Sequence, residues 1–187
     1  GTNSLLDLVI YGRTTGQLAA DYAKEAKLVD LPADAGKTGF ELYERFMNAN
    51  GKHTYHDIYE KMIHTMQDNV GVFRTGENIK KAIKDLQECK EMLKDYKTVD
   101  KSTVYNLDLI EALELNDMVL VASIMAHCAL LREESRGSHY RDDFLDRDDV
   151  NGQKHTQAFL ESDGSIRVDH RPVRTKPLTV DTFPPKP

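Results

Sequence analysis

The sequence has no tryptophan, only two cysteines in 187 residues, and no apolar run long enough to cross a bilayer. Cys89 and Cys128 stand far apart and form no Cys-x-x-Cys pair. That excludes a disulfide framework and a thiolate zinc motif, and both read as reduced core residues. The longest apolar stretch, Met118 to Leu131, is broken by Ser123 and His127. A membrane-spanning helix needs about 20 apolar residues, so this stretch reads as a buried core helix. No Gly-x-Gly-x-x-Gly occurs, so no dinucleotide-binding turn is encoded. Gly36-Lys37-Thr38 lacks the earlier glycine of a phosphate loop, with Leu31 in its place. Basic residues are in deficit: 25 Lys and Arg against 31 Asp and Glu leave a formal charge of −6. A phosphate backbone demands a basic patch, so nucleic acid is excluded as a partner class.

What the sequence does contain is helical periodicity, punctuated by cap residues. Ser4 to about Ala26 carries Leu5, Leu8, Val9, Leu18, Tyr22 and Ala23 at helical spacing, with Asn3 or Ser4 as the cap. Gly12 and Gly16 lie four apart and are expected to permit close packing against another element. A Pro/Gly-bounded loop follows, then a short helix with Phe40, Tyr43, Phe46 and Met47 on one face. Thr54 is placed to start a helix with Ile58, Met62 and Met66 in line, and Thr75 another with Ile79, Ile83, Leu86 and Leu93. Asn106 opens the most apolar region, where Asn116-Asp117 could break or bend the helix. A helix apolar nearly all round belongs in the middle of a bundle. Two short alternating runs, His155–Phe159 and Ile166–His170, flank Ser162-Asp163-Gly164-Ser165, the pattern of a hairpin. The remainder, Arg171 to Pro187, holds five of the six prolines and is expected to be extended. The fold class expected is mainly α: an antiparallel bundle of three to four helices, a short C-terminal β-hairpin and an extended tail.

The densest chemistry follows the apolar stretch. Glu134-Ser135-Arg136-Gly137-Ser138-His139-Tyr140-Arg141 runs on to Arg147-Asp148-Asp149 and Lys154-His155-Thr156. His139, His155 and the acids Asp142, Asp143, Asp146, Asp148 and Asp149 are competent metal ligands, but their spacing fits no closed ligand motif. Arg136, Arg141 and Arg147 interleave with these acids. Arginine forks on carboxylates, fixing an irregular backbone, are the better reading. Ser135 and His139 lie four apart without an acid to orient them, so a nucleophilic pair is not indicated.

The order of these motifs resembles the C-terminal domain of succinate dehydrogenase and fumarate reductase flavoprotein subunits. That family carries Glu-Ser-Arg-Gly-small-His after a long helix, then Arg-Asp-Asp, then Lys-His-Thr. The resemblance extends to Asn69–Glu77, to Asn106–Leu115 and to Gly1-Thr2-Asn3-Ser4-Leu5-Leu6-Asp7-Leu8-Val9. One departure is Gly152-Gln153, where the family usually has an aromatic and an aliphatic residue. The last segment is therefore expected to lack a hydrophobic anchor.

The resemblance implies a parent enzyme that interconverts succinate and fumarate through FAD and passes electrons to an iron–sulfur subunit. It assigns flavin contact to Asn3, Ser4 and Leu5 and assigns no catalytic or metal residue to this chain. The chain begins at Gly1, directly before a helix start, as expected of a piece cut from a longer protein. On that reading residues 1–26 are the last helix of a truncated flavin-binding domain. Residues 27–53 connect, 54–133 form the bundle, and 134–187 hold the charged segment, hairpin and tail. The isolated piece is expected to be an inactive scaffold without bound cofactor. Its partners are the flavin-binding domain of its own chain and the iron–sulfur subunit, with membrane contact only through other subunits. The expected site is the cytoplasmic or matrix face of the inner membrane. The rivals are the C-terminal domain of an L-aspartate oxidase, which also carries a Ser-Arg-Gly-x-His segment, and a free-standing helical interaction module.

Overall fold

The computed structural model describes residues 4–173, in two compact units, residues 1–37 and 38–187. Asn3 and most of the proline-rich tail lie outside the described residues. In the first unit α1 (Ser4–Glu25) is one unbroken helix, and none of its residues is buried. A Cβ added at Gly12 or Gly16 would meet nothing within 4 Å, so the packing role expected for the pair is not seen among the described residues.

The second unit is organised by three helices: α3 (Tyr55–Val70), α4 (Gly76–Met92) and α5 (Leu107–Leu131). The shorter α2 (Lys37–Met47) precedes them. Each of the three starts where a side chain satisfies a free amide of the first turn. The Asp57 carboxylate accepts from both the Thr54 N–H and its hydroxyl, each at 2.8 Å. Thr75 Oγ1 accepts from Asn78 N at 3.2 Å, and Asn106 Oδ1 from Leu109 N at 2.8 Å. Asn106 Nδ2 also donates to the Asp100 and Ser102 carbonyls, which pins the incoming loop.

The core joins Ile58 and Met62 of α3, Ile79, Ala82, Leu86 and Cys89 of α4, and Leu109, Leu115 and Val119 of α5. Of the helical stripes read from the sequence, Ile58, Met62, Ile79, Leu86 and Leu93 are buried, and Met66 and Ile83 pack partly buried against them. Phe46 alone of α2 is buried, edge-on to Tyr96 at 5.3 Å, while Phe40 and Tyr43 are exposed. Of the anticipated four-residue apolar face of α2, Phe46 is buried and Met47 packs partly buried against the core, while its first half stays outside the bundle. Asn116-Asp117 does not break α5, which continues for 25 residues. Its packed face is built largely from small residues, Ala112, Ala122, Ala126 and Ala129, which let neighbouring backbones approach. Val121 and Met125 on the other side are more than half exposed, so α5 is not enclosed all round as its composition suggests.

Strands β1 (Lys154–Leu160) and β2 (Ile166–Pro172) form an antiparallel hairpin with Thr156 opposite His170 and Ala158 opposite Val168. Gly164 takes φ +80° in the turn, a value that favours glycine. Lys90 of α4 donates to the Gly164 carbonyl at 3.1 Å and holds the turn against the helices. Both cysteines are free, Cys89 buried and Cys128 partly so. Burial pushes the Cys89 thiol up to about 11.

Candidate functional site

Arg132 to Lys154 closes one corner of the bundle, where the C-terminus of α5, the N-terminus of α4 and the start of the hairpin meet. Arg141 is 1% exposed. Its Nε and Nη2 face the two Asp143 oxygens at 2.7 and 2.8 Å, and its Nη1 donates to the carbonyls of Ala129, Leu130 and Arg132 at 3.1, 3.1 and 3.3 Å. Those carbonyls end α5, where the helix dipole is negative and a cation is favourable. Asp143 Oδ2 also accepts from the Gly76 amide at 2.7 Å, at the positive start of α4. The Arg141 fork holds the Asp143 carboxyl well below the usual range, and the Gly76 amide adds to this.

Glu134 is the second centre, 2% exposed and immediately after the apolar helix. Arg132 and Arg136 both donate to its carboxylate, Arg136 Nε at 3.0 and 3.2 Å, and the Asp148 amide adds a bond at 3.0 Å. Burial opposes ionisation of Glu134, but these donors outweigh it and hold the carboxyl below its ordinary value. Arg136 also reaches the Asp148 carbonyl and Asp149 Oδ1, and Arg147 takes Asp149 Oδ2. Arg132 turns the other way, to the Gly152 and Lys154 carbonyls at 2.9 and 2.6 Å, which fixes where β1 begins.

Gly152 is buried, and a Cβ built on it would overlap the Glu134 carboxylate. In place of the missing hydrophobic anchor before Lys154 there is close approach of a bare backbone to a buried acid. Gly137 has φ +60° as the first central residue of the Arg136–His139 turn, whose ends exchange backbone bonds of 2.7 and 3.0 Å.

The candidate ligands and nucleophiles of the sequence sort differently. Among the described residues no three His, Cys, Asp or Glu side chains converge as a metal site. His139 Nε2 is 2.9 Å from the Arg132 carbonyl, so that nitrogen carries the proton. Burial pushes the His139 pKa down, against that bond. Ser135 donates to the Phe144 carbonyl and accepts from the Arg141 amide. Neither Ser135 nor His139 is available as half of a nucleophilic pair. His127, inside the apolar stretch, bonds through Nδ1 to the Ser123 carbonyl at 2.7 Å. It borders a cleft of about 890 Å³ between α4, α5 and the hairpin. Ser4 and Leu5 lie in the first turn of α1, both exposed.

The interleaving of Arg and Asp in the sequence signalled the pairs at Arg136, Arg141 and Arg147. Arg132 and Glu134 were missed as pair members. A residue's burial at a helix exit has no local signal. Chemically the corner is a clamp: Glu134, Asp143 and Asp149 are paired with arginines, His139 is engaged, and it ties helix ends to a hairpin.

The model of the fumarate reductase flavoprotein C-terminal family matches residues 59–187. The mitochondrial succinate dehydrogenase flavoprotein subunit of Oryza sativa is 38% identical over 100% of this chain and 30% of its own length. The fumarate reductase flavoprotein subunit of Escherichia coli is 37% identical over 99% of this chain and 31% of its own. A solved E. coli quinol fumarate reductase superposes with a TM-score of 0.86 at 37% identity, covering 95% of this chain and 31% of that one. The chain thus spans about 30% of the length of the curated relatives it matches.

Proposed function

The chain belongs to the fumarate reductase flavoprotein C-terminal family, and on that premise we propose that it is the helical scaffold of a flavin-dependent subunit that interconverts succinate and fumarate. The observation that carries the reading is the 38% identity to a succinate dehydrogenase flavoprotein along the whole chain. The proposed division of labour has residues 1–26 as the end of a flavin-binding domain and 27–53 as the connection. Residues 54–133 are the bundle, and 134–187 the charged segment that docks it. Among the described residues no helix is long and apolar enough to cross a membrane. This is compatible with a peripheral subunit on the cytoplasmic or matrix face that hands electrons to an iron–sulfur partner.

FAD, when bound, supplies a nitrogen that exchanges hydride with the substrate carbons. The residues of this chain that fit it are few. α1 begins at Ser4, and a helix start presents unpaired amides and a partial positive charge. Asn3, Ser4 and Leu5 are therefore proposed to meet the pyrimidine edge of the flavin, where amides and a short hydroxyl stabilise negative charge. The chain's larger contribution is positional. The clamp around Glu134 and Arg141 holds the ends of α4 and α5 and the hairpin as one face.

The test is Arg136→Ala in the complete flavoprotein subunit. Arg136 bonds Glu134, Asp148 and Asp149 together, so its loss is expected to loosen docking and lower both flavin content and thermal stability. Unchanged flavin and unchanged stability would remove the docking role.

A further inference from the structure

Arg74 sits in the loop between α3 and α4, one residue before the cap Thr75. Its carbonyl accepts from the Asp142 amide at 2.9 Å, and its backbone pairs with Arg141. The loop is thus fastened to the charged corner, and the guanidinium is positioned rather than loose. Yet Nε of Arg74 is buried with no hydrogen-bond partner, and no carboxylate among the described residues forms an ion pair with this side chain. Arg74 as a whole is half-buried, and a buried guanidinium nitrogen without an acceptor is uncommon in a folded protein.

The nearby charges do not relieve it. Arg141 repels it, and the acid closest to Arg141, Asp143, is committed to the Arg141 fork and the Gly76 amide. His139 donates its Nε2–H to the Arg132 carbonyl. Around Arg74 the surface is apolar. Val72 and Phe73 are 67% and 71% exposed, and Phe73 stands edge-on to Tyr140 at 5.7 Å. An arginine flanked by an exposed phenylalanine and a half-buried tyrosine has the composition of an interface anchor.

We propose that Val72, Phe73, Arg74 and Tyr140 form a docking surface for an acidic protein segment, whose carboxylate fills the Arg74 fork. The planar guanidinium matches a carboxylate in two-bond geometry, and Phe73 and Val72 take an adjoining aliphatic side chain. The occupant is an Asp or Glu on the flavin-binding portion of the same subunit. The patch is continuous, through the Arg74–Asp142 bond, with the segment to which the proposed function assigns that docking, and the inference rests on that reading.

Arg74→Met separates the possibilities because its effect changes sign with context. In the 187-residue chain it removes a repelled, partly desolvated charge and raises the thermal midpoint by about 2–4 °C. In the complete flavin-bearing subunit it strands the partner carboxylate, lowers the midpoint and speeds flavin release. Arg74→Lys keeps the charge without the fork and falls between. A fall of the midpoint in the 187-residue chain overturns the proposal, since the acid would then lie within this chain. A complete subunit indifferent to Arg74→Met also overturns it. Arg136→Ala in that subunit is the control. Flavin loss there with a silent Arg74→Met rejects the Arg74 contact alone, whereas silence at both positions rejects the docking reading as well.

Discussion

Arg141 and Asp143 face each other through two bonds of 2.7 and 2.8 Å, and each holds the end of a different helix. Arg141 takes the last carbonyls of α5, and Asp143 takes the first amide of α4. One ion pair thus neutralises two helix ends of opposite polarity.

Removing the two partners has unequal consequences. Arg141→Ala leaves orphaned carbonyls and an unmatched carboxylate, and is expected to cost about 3–5 kcal/mol. Asp143→Asn keeps the shape and can still accept from Gly76, so a loss of about 1–2 kcal/mol is expected. Urea denaturation of the two variants, with the slope checked for two-state behaviour, measures the difference. Equal losses would contradict the buried, multiply bonded role of Arg141.

The same acids set the response to acid. Asp143 and Glu134 titrate below their ordinary values in the folded chain, Asp143 held chiefly by Arg141 and Glu134 by Arg136 and its other donors against burial. The unfolded chain binds protons first, near about 4. Their stabilisation is therefore complete above that range and lost as pH falls through it towards the folded values. Asp143→Asn is expected to flatten the acid limb of a stability–pH curve while leaving its shape near pH 7 unchanged. An unaltered acid limb would show that Asp143 is not held down.

Glycines should divide by surroundings. Gly152→Ala drives a methyl into the Glu134 carboxylate and is expected to cost about 1–3 kcal/mol. Gly137→Ala strains a φ of +60° in open space and is expected to cost a similar amount. Gly12→Ala, in a helix with nothing within 4 Å, is expected to stabilise by about 0.5–1 kcal/mol. Thermal midpoints of the three variants check both signs.

Much of this was legible in the sequence. Thr54, Thr75 and Asn106 mark helix starts, and Asp163-Gly164 marks the hairpin turn, because caps and turns are local chemistry. Arginines alternating with aspartates at 136–149 announced a paired network. What stayed hidden depends on distance in space. Glu134 carries no local sign of burial, yet Arg132 and Arg136, two residues to either side, turn onto it and the Asp148 amide joins them from fourteen residues on. Gly152 reads as a missing anchor until that same carboxylate is found against its backbone. Val121 and Met125 read as core, yet α3 and α4 cover only the opposite side of α5.

The thiols offer a check on packing. Cys89 is buried, and its pKa is raised to about 11 by that burial. Its alkylation by iodoacetamide at pH 8 is expected to await unfolding, with Cys128 the faster to react. Rapid labelling of Cys89 in the folded chain would show that the α3–α4–α5 core is open.

The most direct test is on a complete flavoprotein subunit carrying this chain as its C-terminal part. Its visible spectrum and its reduction of an artificial electron acceptor would be recorded with succinate and, separately, with L-aspartate. Bound flavin and succinate-dependent reduction are the predicted result. Flavin with activity on L-aspartate instead, or no flavin at all, would contradict the account.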